Sequence, residues 1–120
     1  MLSLPASVKV YLCVQPTDMR KGFDSLAAIV REEFGDDPLC GHLFLFRGTR
    51  FDRLKILWWD RDGFVVWYKR LERGTFRVSI DRMTNCRGRV ELPHRELAML
   101  LEGLAEEKVK KLPRFAGASS

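Results

Sequence analysis

The sequence predicts an α+β fold: an antiparallel sheet of four to five strands, with an N-terminal helix and a C-terminal helix packed on it. Three observations carry that expectation. Apolar residues recur at spacings of three and four between Met19 and Phe34, and again between Leu97 and Leu104. From His42 onward the apolar period switches to two, as in half-buried strands. The breaks between the alternating runs are too short to allow anything but antiparallel neighbours.

The elements follow in order. Val8 to Val14 alternates, with Val8, Val10, Leu12 and Val14 on one face, and Gln15-Pro16-Thr17-Asp18 breaks it. Thr17 or Asp18 then offers a side-chain oxygen to the N–H groups that open a helix. Met19, Phe23, Leu26, Ala27, Val30 and Phe34 form the core-facing stripe of that helix. Gly35 ends it, and Asp36-Asp37-Pro38 prevents its resumption. Four strands are expected next, over 42–47, 53–59, 64–71 and 75–80. Arg50-Phe51-Asp52, Asp60-Arg61-Asp62-Gly63 and Glu72-Arg73-Gly74 are the turns, the second relying on its Asp-Gly pair for positive φ. Asp81 to Gly88 is polar and irregular. Pro93 suits the first turn of a second helix, with Leu97, Leu100, Leu101 and Leu104 as its apolar face.

Residues 1–107 read as a single α+β domain, and 108–120 as a basic tail expected to fray. A chain of 120 residues buries about two thirds of its unfolded surface, so a core forms without disulfide staples. The three cysteines, Cys13, Cys40 and Cys86, are odd in number and far apart, as expected of reduced thiols. No apolar run is long enough to span a bilayer, and the first residues do not resemble a signal peptide. A cytoplasmic protein with no membrane contact is the expectation.

The net charge of +5 is unevenly placed. Residues 1–40 carry four basic and six acidic side chains, and residues 91–120 carry five of each. Residues 41–90 carry twelve basic and five acidic, so the whole excess lies in the middle segment. A local excess of cations attracts polyanions through counterion release.

The expected central hairpin has an unusual outer face. Leu54, Ile56 and Trp58, with Phe64, Val66 and Tyr68 opposite, read as the core side. The other side then gathers Arg53, Lys55, Trp59, Trp67 and Lys69, with Phe44 and Phe46 beside them. Cations there suit phosphates, and rings suit bases. The competing account is that the second helix covers this face and the lysine stems reach past its rim.

Catalytic chemistry is not expected. The cysteines form no C-x-x-C pair, and His42 and His94 lack companion ligands at zinc spacing. Asp60-x-Asp62-Gly63 resembles the start of a calcium loop, but Leu71 stands where a bidentate Glu is required. A magnesium-dependent nuclease needs converging carboxylates. Asp18, Asp24, Asp52 and Asp60 are available, but helix capping and turn formation account for Asp18, Asp52 and Asp60. No cofactor, no metal and no small-molecule substrate is expected.

Several blocks resemble a known family. Asp18-Met19-Arg20-Lys21-Gly22-Phe23-Asp24-Ser25-Leu26 is similar to the D-M-R-K-x-F-D-x-L signature of the accessory proteins of insertion-sequence family 66, called TnpB or Orf2-like. Pro38-Leu39-x-Gly41-His42 through Arg47, Lys55 through Phe64, and Tyr68 through Phe76 continue the likeness in the same order. It covers residues 4–80 and, more loosely, 97–104. One departure is that Val78-Ser79 stand where the family tends to Trp-Pro. The resemblance implies an accessory role in bacterial DNA transposition, beside a larger transposase that holds the catalytic acidic residues.

Arg20 and Lys21 are expected in the first turn of the helix, where a cation opposes the dipole by about 0.3–1 kcal/mol. Either Arg20 pairs with Asp24 four residues on, or the two cations face a partner. The leading expectation is a DNA-associated accessory factor, not an enzyme. Arg20, Lys21, Arg53, Lys55, Trp59, Trp67, Lys69, Arg70 and Arg73 are its candidate nucleic-acid-binding residues, and element ends and the transposase of the same element its partners. The alternative is a protein–protein adaptor in which Trp59 and Trp67 form a hot spot for the transposase or for a second copy of the chain.

Overall fold

The structure, a computed structural model, describes residues 4–78, 85–86 and 88–102. Its elements run β1 (Val10–Cys13), α1 (Phe23–Ile29) with a π-helical extension (Val30–Phe34), β2 (Leu43–Arg47), β3 (Arg53–Asp60), β4 (Gly63–Arg70), β5 (Asn85–Cys86), β6 (Arg89–Leu92) and α2 (His94–Leu101). The strands form one sheet in the order β4-β3-β2-β1-β6-β5.

The sheet is mixed, which corrects the antiparallel expectation. β1 pairs parallel with β2, Val10 opposite Leu43 and Leu12 opposite Leu45. The reason is the helix between them. A strand that leaves through a helix crossover returns on the same heading, whereas a tight turn reverses it. β2, β3 and β4 then meander antiparallel, and β6 runs antiparallel along the other side of β1.

A helix covers each face. On the α2 face, Val10, Leu12, Leu43, Leu45, Leu54, Ile56, Val90 and Leu92 pack with Leu97 and Leu100 of α2. On the α1 face, Cys13, Phe44, Phe46 and Leu57 pack with Leu26, Ala27, Val30 and Phe34. The rings of Phe34 and Phe46 stack with centroids 6.1 Å apart. β2 is buried along its whole length because both its faces are covered.

Several local expectations change. α1 begins at Phe23, with Gly22 as N-cap and no side-chain cap. Asp18 instead closes a tight turn before the helix: its Oδ1 accepts from Arg20 N–H at 2.9 Å, and its carbonyl from Lys21 N–H at 3.1 Å. Met19 therefore packs from a loop, and Phe23 is exposed. Gly35 does end the helix, at φ 73°. Thr75–Val78 is not a strand; residues 79–80 lie outside the described set. Arg89–Leu92 forms a strand that the sequence reading left unassigned, between the polar stretch and the second helix. Most of that polar stretch, together with Leu104 and the tail 108–120, lies outside the described residues.

No helix among the described residues is long and apolar enough to cross a membrane. Cys13 and Cys40 are free thiols, and burial raises the pKa of both.

Candidate functional site

The β3–β4 hairpin decides which side chains meet. Its register runs Arg53↔Arg70, Lys55↔Tyr68, Ile56↔Trp67 and Trp59↔Phe64, closing at Asp60↔Gly63. Two residues, Arg61 and Asp62, make the turn, so each even-numbered position faces an odd-numbered one. The expected grouping needed an odd loop. Arg53, Lys55, Leu57 and Trp59 consequently share the α1 face with Phe64, Val66, Tyr68 and Arg70. Trp67 and Lys69 lie on the α2 face with Leu54, Ile56 and Trp58. A slip of one residue exchanges the faces of a whole strand. Positive φ in this turn falls on Arg61, at 58°, and not on Gly63.

The expected cation-and-tryptophan surface is therefore divided. Trp67 packs against the α2-side core, and Lys69 Nζ donates to the carbonyl of Leu101 at 2.8 Å. That places an ammonium at the C-terminal end of α2, where the helix dipole favours it. Trp59 meets Phe64 edge to face, with centroids 5.1 Å apart, beside the turn. Trp59 and Trp67 lie on opposite faces of the sheet.

Lys55 is absorbed by the fold as well. It is almost fully buried, and its Nζ donates to the carbonyls of Met19 and Lys21, each at 2.8 Å. The ammonium thus clamps the loop that carries the D-M-R-K signature. Its charge also lies 4.8 Å from the centre of the Tyr68 ring.

What remains open is a cleft beside this clamp, about 600 Å³, lined by Thr17, Asp18, Met19, Arg20, Gly48, Thr49, Arg50, Asp52 and Arg53. Three chain segments build it: the loop before α1, the β2–β3 turn and the start of β3. Thr17 N–H donates to the Arg47 carbonyl at 2.7 Å, which ties the first segment to the second. Gly48 is required by close approach, because a Cβ there would meet Met19 Cγ at 2.9 Å. Phe51 adopts φ 60°, a strained value for a bulky residue. Its carbonyl accepts from Phe76 N–H at 2.7 Å, and the Arg47 guanidinium lies 4.6 Å from its ring centre. Those contacts hold the turn that presents Arg50 and Asp52.

A second, shallower hollow, lined by Arg53, Tyr68, Arg70 and Glu72, adjoins the first through Arg53. Arg53 donates to the Tyr68 hydroxyl at 3.4 Å. Together the two hollows bring four arginines onto the α1 side: Arg20, Arg50, Arg53 and Arg70. Three carboxylates accompany them. Asp18 takes Arg20 in a fork, with Nη2 at 2.8 Å, and this hydrogen bonding holds the Asp18 carboxyl well below the usual aspartate range. Arg20 therefore pairs with Asp18 rather than Asp24. Arg70 meets Glu72 at 3.2 Å, both largely exposed. Arg50 and Arg53 have no carboxylate ion pair among the described residues.

Of the nine residues singled out from sequence, Arg20, Arg53 and Arg70 converge here, and Lys21 adjoins them through the Lys55 clamp. Trp67 and Lys69 face the other way, Trp59 sits beside the far turn, and Arg73 is exposed in the turn after β4. Arg50, Asp52 and Tyr68 were missed as a group. Arg50 lay in a turn read only as a reversal, and Tyr68 was assigned to the core face by the wrong parity. Arg47, half of a buried cation–ring pair under this turn, was missed too; burial lowers its pKa, and its Nε finds no partner among the described residues. Among the described residues no three His, Cys, Asp or Glu side chains gather as metal ligands.

Comparison with known proteins agrees with the family resemblance of the sequence. The family described as IS66 Orf2 like protein matches residues 8–111. The uncharacterized protein y4jC of Sinorhizobium fredii is 32% identical over 113 residues, 94% of this chain and 93% of that protein. The uncharacterized protein y4hO of the same organism is 45% identical over 76 residues, 63% of this chain and 66% of that protein. No solved structure matches the chain. With the family match spanning most of its length, the chain belongs to the IS66 Orf2-like family of insertion-sequence accessory proteins.

Proposed function

We propose that this protein serves transposition of its insertion sequence by docking the DNA backbone, near the element ends, in the arginine-lined cleft on the α1 face. The observation that carries this reading is the convergence of Arg20, Arg50 and Arg53 from three separate segments on one open cleft. Guanidinium groups match phosphate oxygens in geometry and charge, and Arg50 and Arg53 form no ion pair with a carboxylate among the described residues. Asp18 and Asp52 set a limit on the net charge, so the site favours a few directed contacts over a broad basic field. The transposase of the same element is the protein partner of this complex and supplies the strand chemistry.

The test is fluorescence anisotropy of a labelled duplex carrying an element end, over a salt series. With three or four phosphates contacted, log K falls against log salt with a slope of about −3 to −4. Arg53→Ala, which opens both hollows, weakens binding most and reduces the slope by about one. A flat salt response, or an Arg53→Ala variant that binds like the parent, overturns the proposal.

A further inference from the structure

We propose that the outer edge of β4 is a self-complementary interface, through which two copies of this chain pair antiparallel and continue the sheet across a twofold axis at Val66. β4 ends the sheet, and no described strand lies beyond it. It is eight residues long, pairs with β3 without a skipped position, and contains no proline. Natural sheets usually protect such an edge with a bulge, a proline, a short strand or charged side chains. Of those devices β4 carries only charge, Lys69 and Arg70 at its end, and the Lys69 ammonium is turned to the Leu101 carbonyl.

The hairpin geometry sets which groups are free. In a two-residue hairpin the closing pair, Asp60 and Gly63, is hydrogen-bonded, and bonded pairs then alternate. Gly63, Val65, Trp67 and Lys69 thus turn their N–H and C=O toward β3. Phe64, Val66, Tyr68 and Arg70 turn theirs outward, so four residues offer a ladder with no strand partner among the described residues.

Side chains select the register. With Val66 opposite Val66 of a second copy, Phe64 meets Tyr68, Val65 meets Trp67, and Asp62 meets Arg70 at both ends. Cross-strand aromatic pairs and opposite charges both favour that alignment. Placing Trp67 on the axis sets Asp62 against Glu72 and Phe64 against Arg70. Placing Val65 there sets Gly63 against Trp67 and Phe64 against Val66. Neither alternative pairs Phe64 with Tyr68. Arg70 is available for exchange, because its contact with Glu72 is a solvent-exposed ion pair of little worth. Tyr68, about half exposed, gains cover.

The experiment is sedimentation equilibrium of the full chain over the micromolar range, without nucleic acid, so it is independent of the DNA reading. The expected mass is twice that of one chain. Val66→Pro removes one outward N–H at an edge position that tolerates proline, and it is expected to sediment as a folded monomer, with its fold checked by circular dichroism. Should that variant unfold, charge exchange decides. Asp62→Arg weakens association about tenfold or more, and adding Arg70→Asp restores it. A monomeric parent, a folded Val66→Pro variant that still dimerises, or an Asp62→Arg variant with unchanged association overturns the proposal.

Discussion

Lys55 and Lys69 stand on neighbouring strands of one hairpin, and each donates to backbone carbonyls at 2.8 Å, yet they serve opposite sides of the sheet. Lys69 finishes a closed face, where α2 packs over Leu54 and Ile56 and receives the ammonium at its end. Lys55 supports an open one, where α1 stops short and an irregular loop is pinned beside a cleft. A buried lysine can therefore shape a cleft from beneath, by holding the loop that lines it. The rim carries arginines instead, Arg50 and Arg53, which have no carboxylate ion pair among the described residues. One face is stability; the other is access.

That contrast can be broken by experiment. Trp67→Ala should have the largest effect on folding, about 2–4 kcal/mol in urea unfolding, because it removes a ring packed on the α2-side core. Its DNA salt slope should stay that of the parent; a changed slope would blur the distinction between the faces. Lys55→Met should cost about 1–3 kcal/mol, since two carbonyls lose their donor. It should also weaken duplex binding several-fold, through misplacement of Arg20, and intact affinity would remove the clamp role.

Smaller effects sharpen the same comparison. Lys69→Met should cost about 0.5–1 kcal/mol, with duplex affinity unchanged, because the lost contact is one hydrogen bond at a helix end. The smallest effect is a titration. Arg20 depresses the Asp18 carboxyl, so their contact should persist as pH falls past the ordinary aspartate value of 3.8 and be lost only at the lower folded value. Following the Asp18 side-chain carbon by NMR against pH checks this, and a midpoint at the ordinary value counts against the fork.

Legibility in the sequence followed the range of the physics. The alternation of Val8, Val10, Leu12 and Val14 correctly placed them on one face, because strand periodicity is a property of neighbours. The stripe through Leu26, Ala27, Val30 and Phe34 and the stop at Gly35 were equally local. The parallel β1–β2 pair was within reach, since a strand, a helix and another strand form a crossover unit. The short turns after His42, each reversing the chain, hide it in the pattern of the sequence. The β6 strand was missed for want of length: Arg89–Leu92 shows only two core positions, Val90 and Leu92.

The sequence by itself determined the family, the two amphipathic helices, the alternating strands and the concentration of cations in residues 41–90. Each is written in residue type and spacing along the chain, which local geometry reads directly. Only the tertiary structure decided which cations meet. The two-residue turn at Arg61-Asp62 set the parity of the hairpin and sent Lys69 and Trp67 to the far face. Burial then turned Lys55 into a clamp, and the approach of the β2–β3 turn brought Arg50 beside Arg20. Those outcomes depend on through-space distances that a pattern along one chain does not contain.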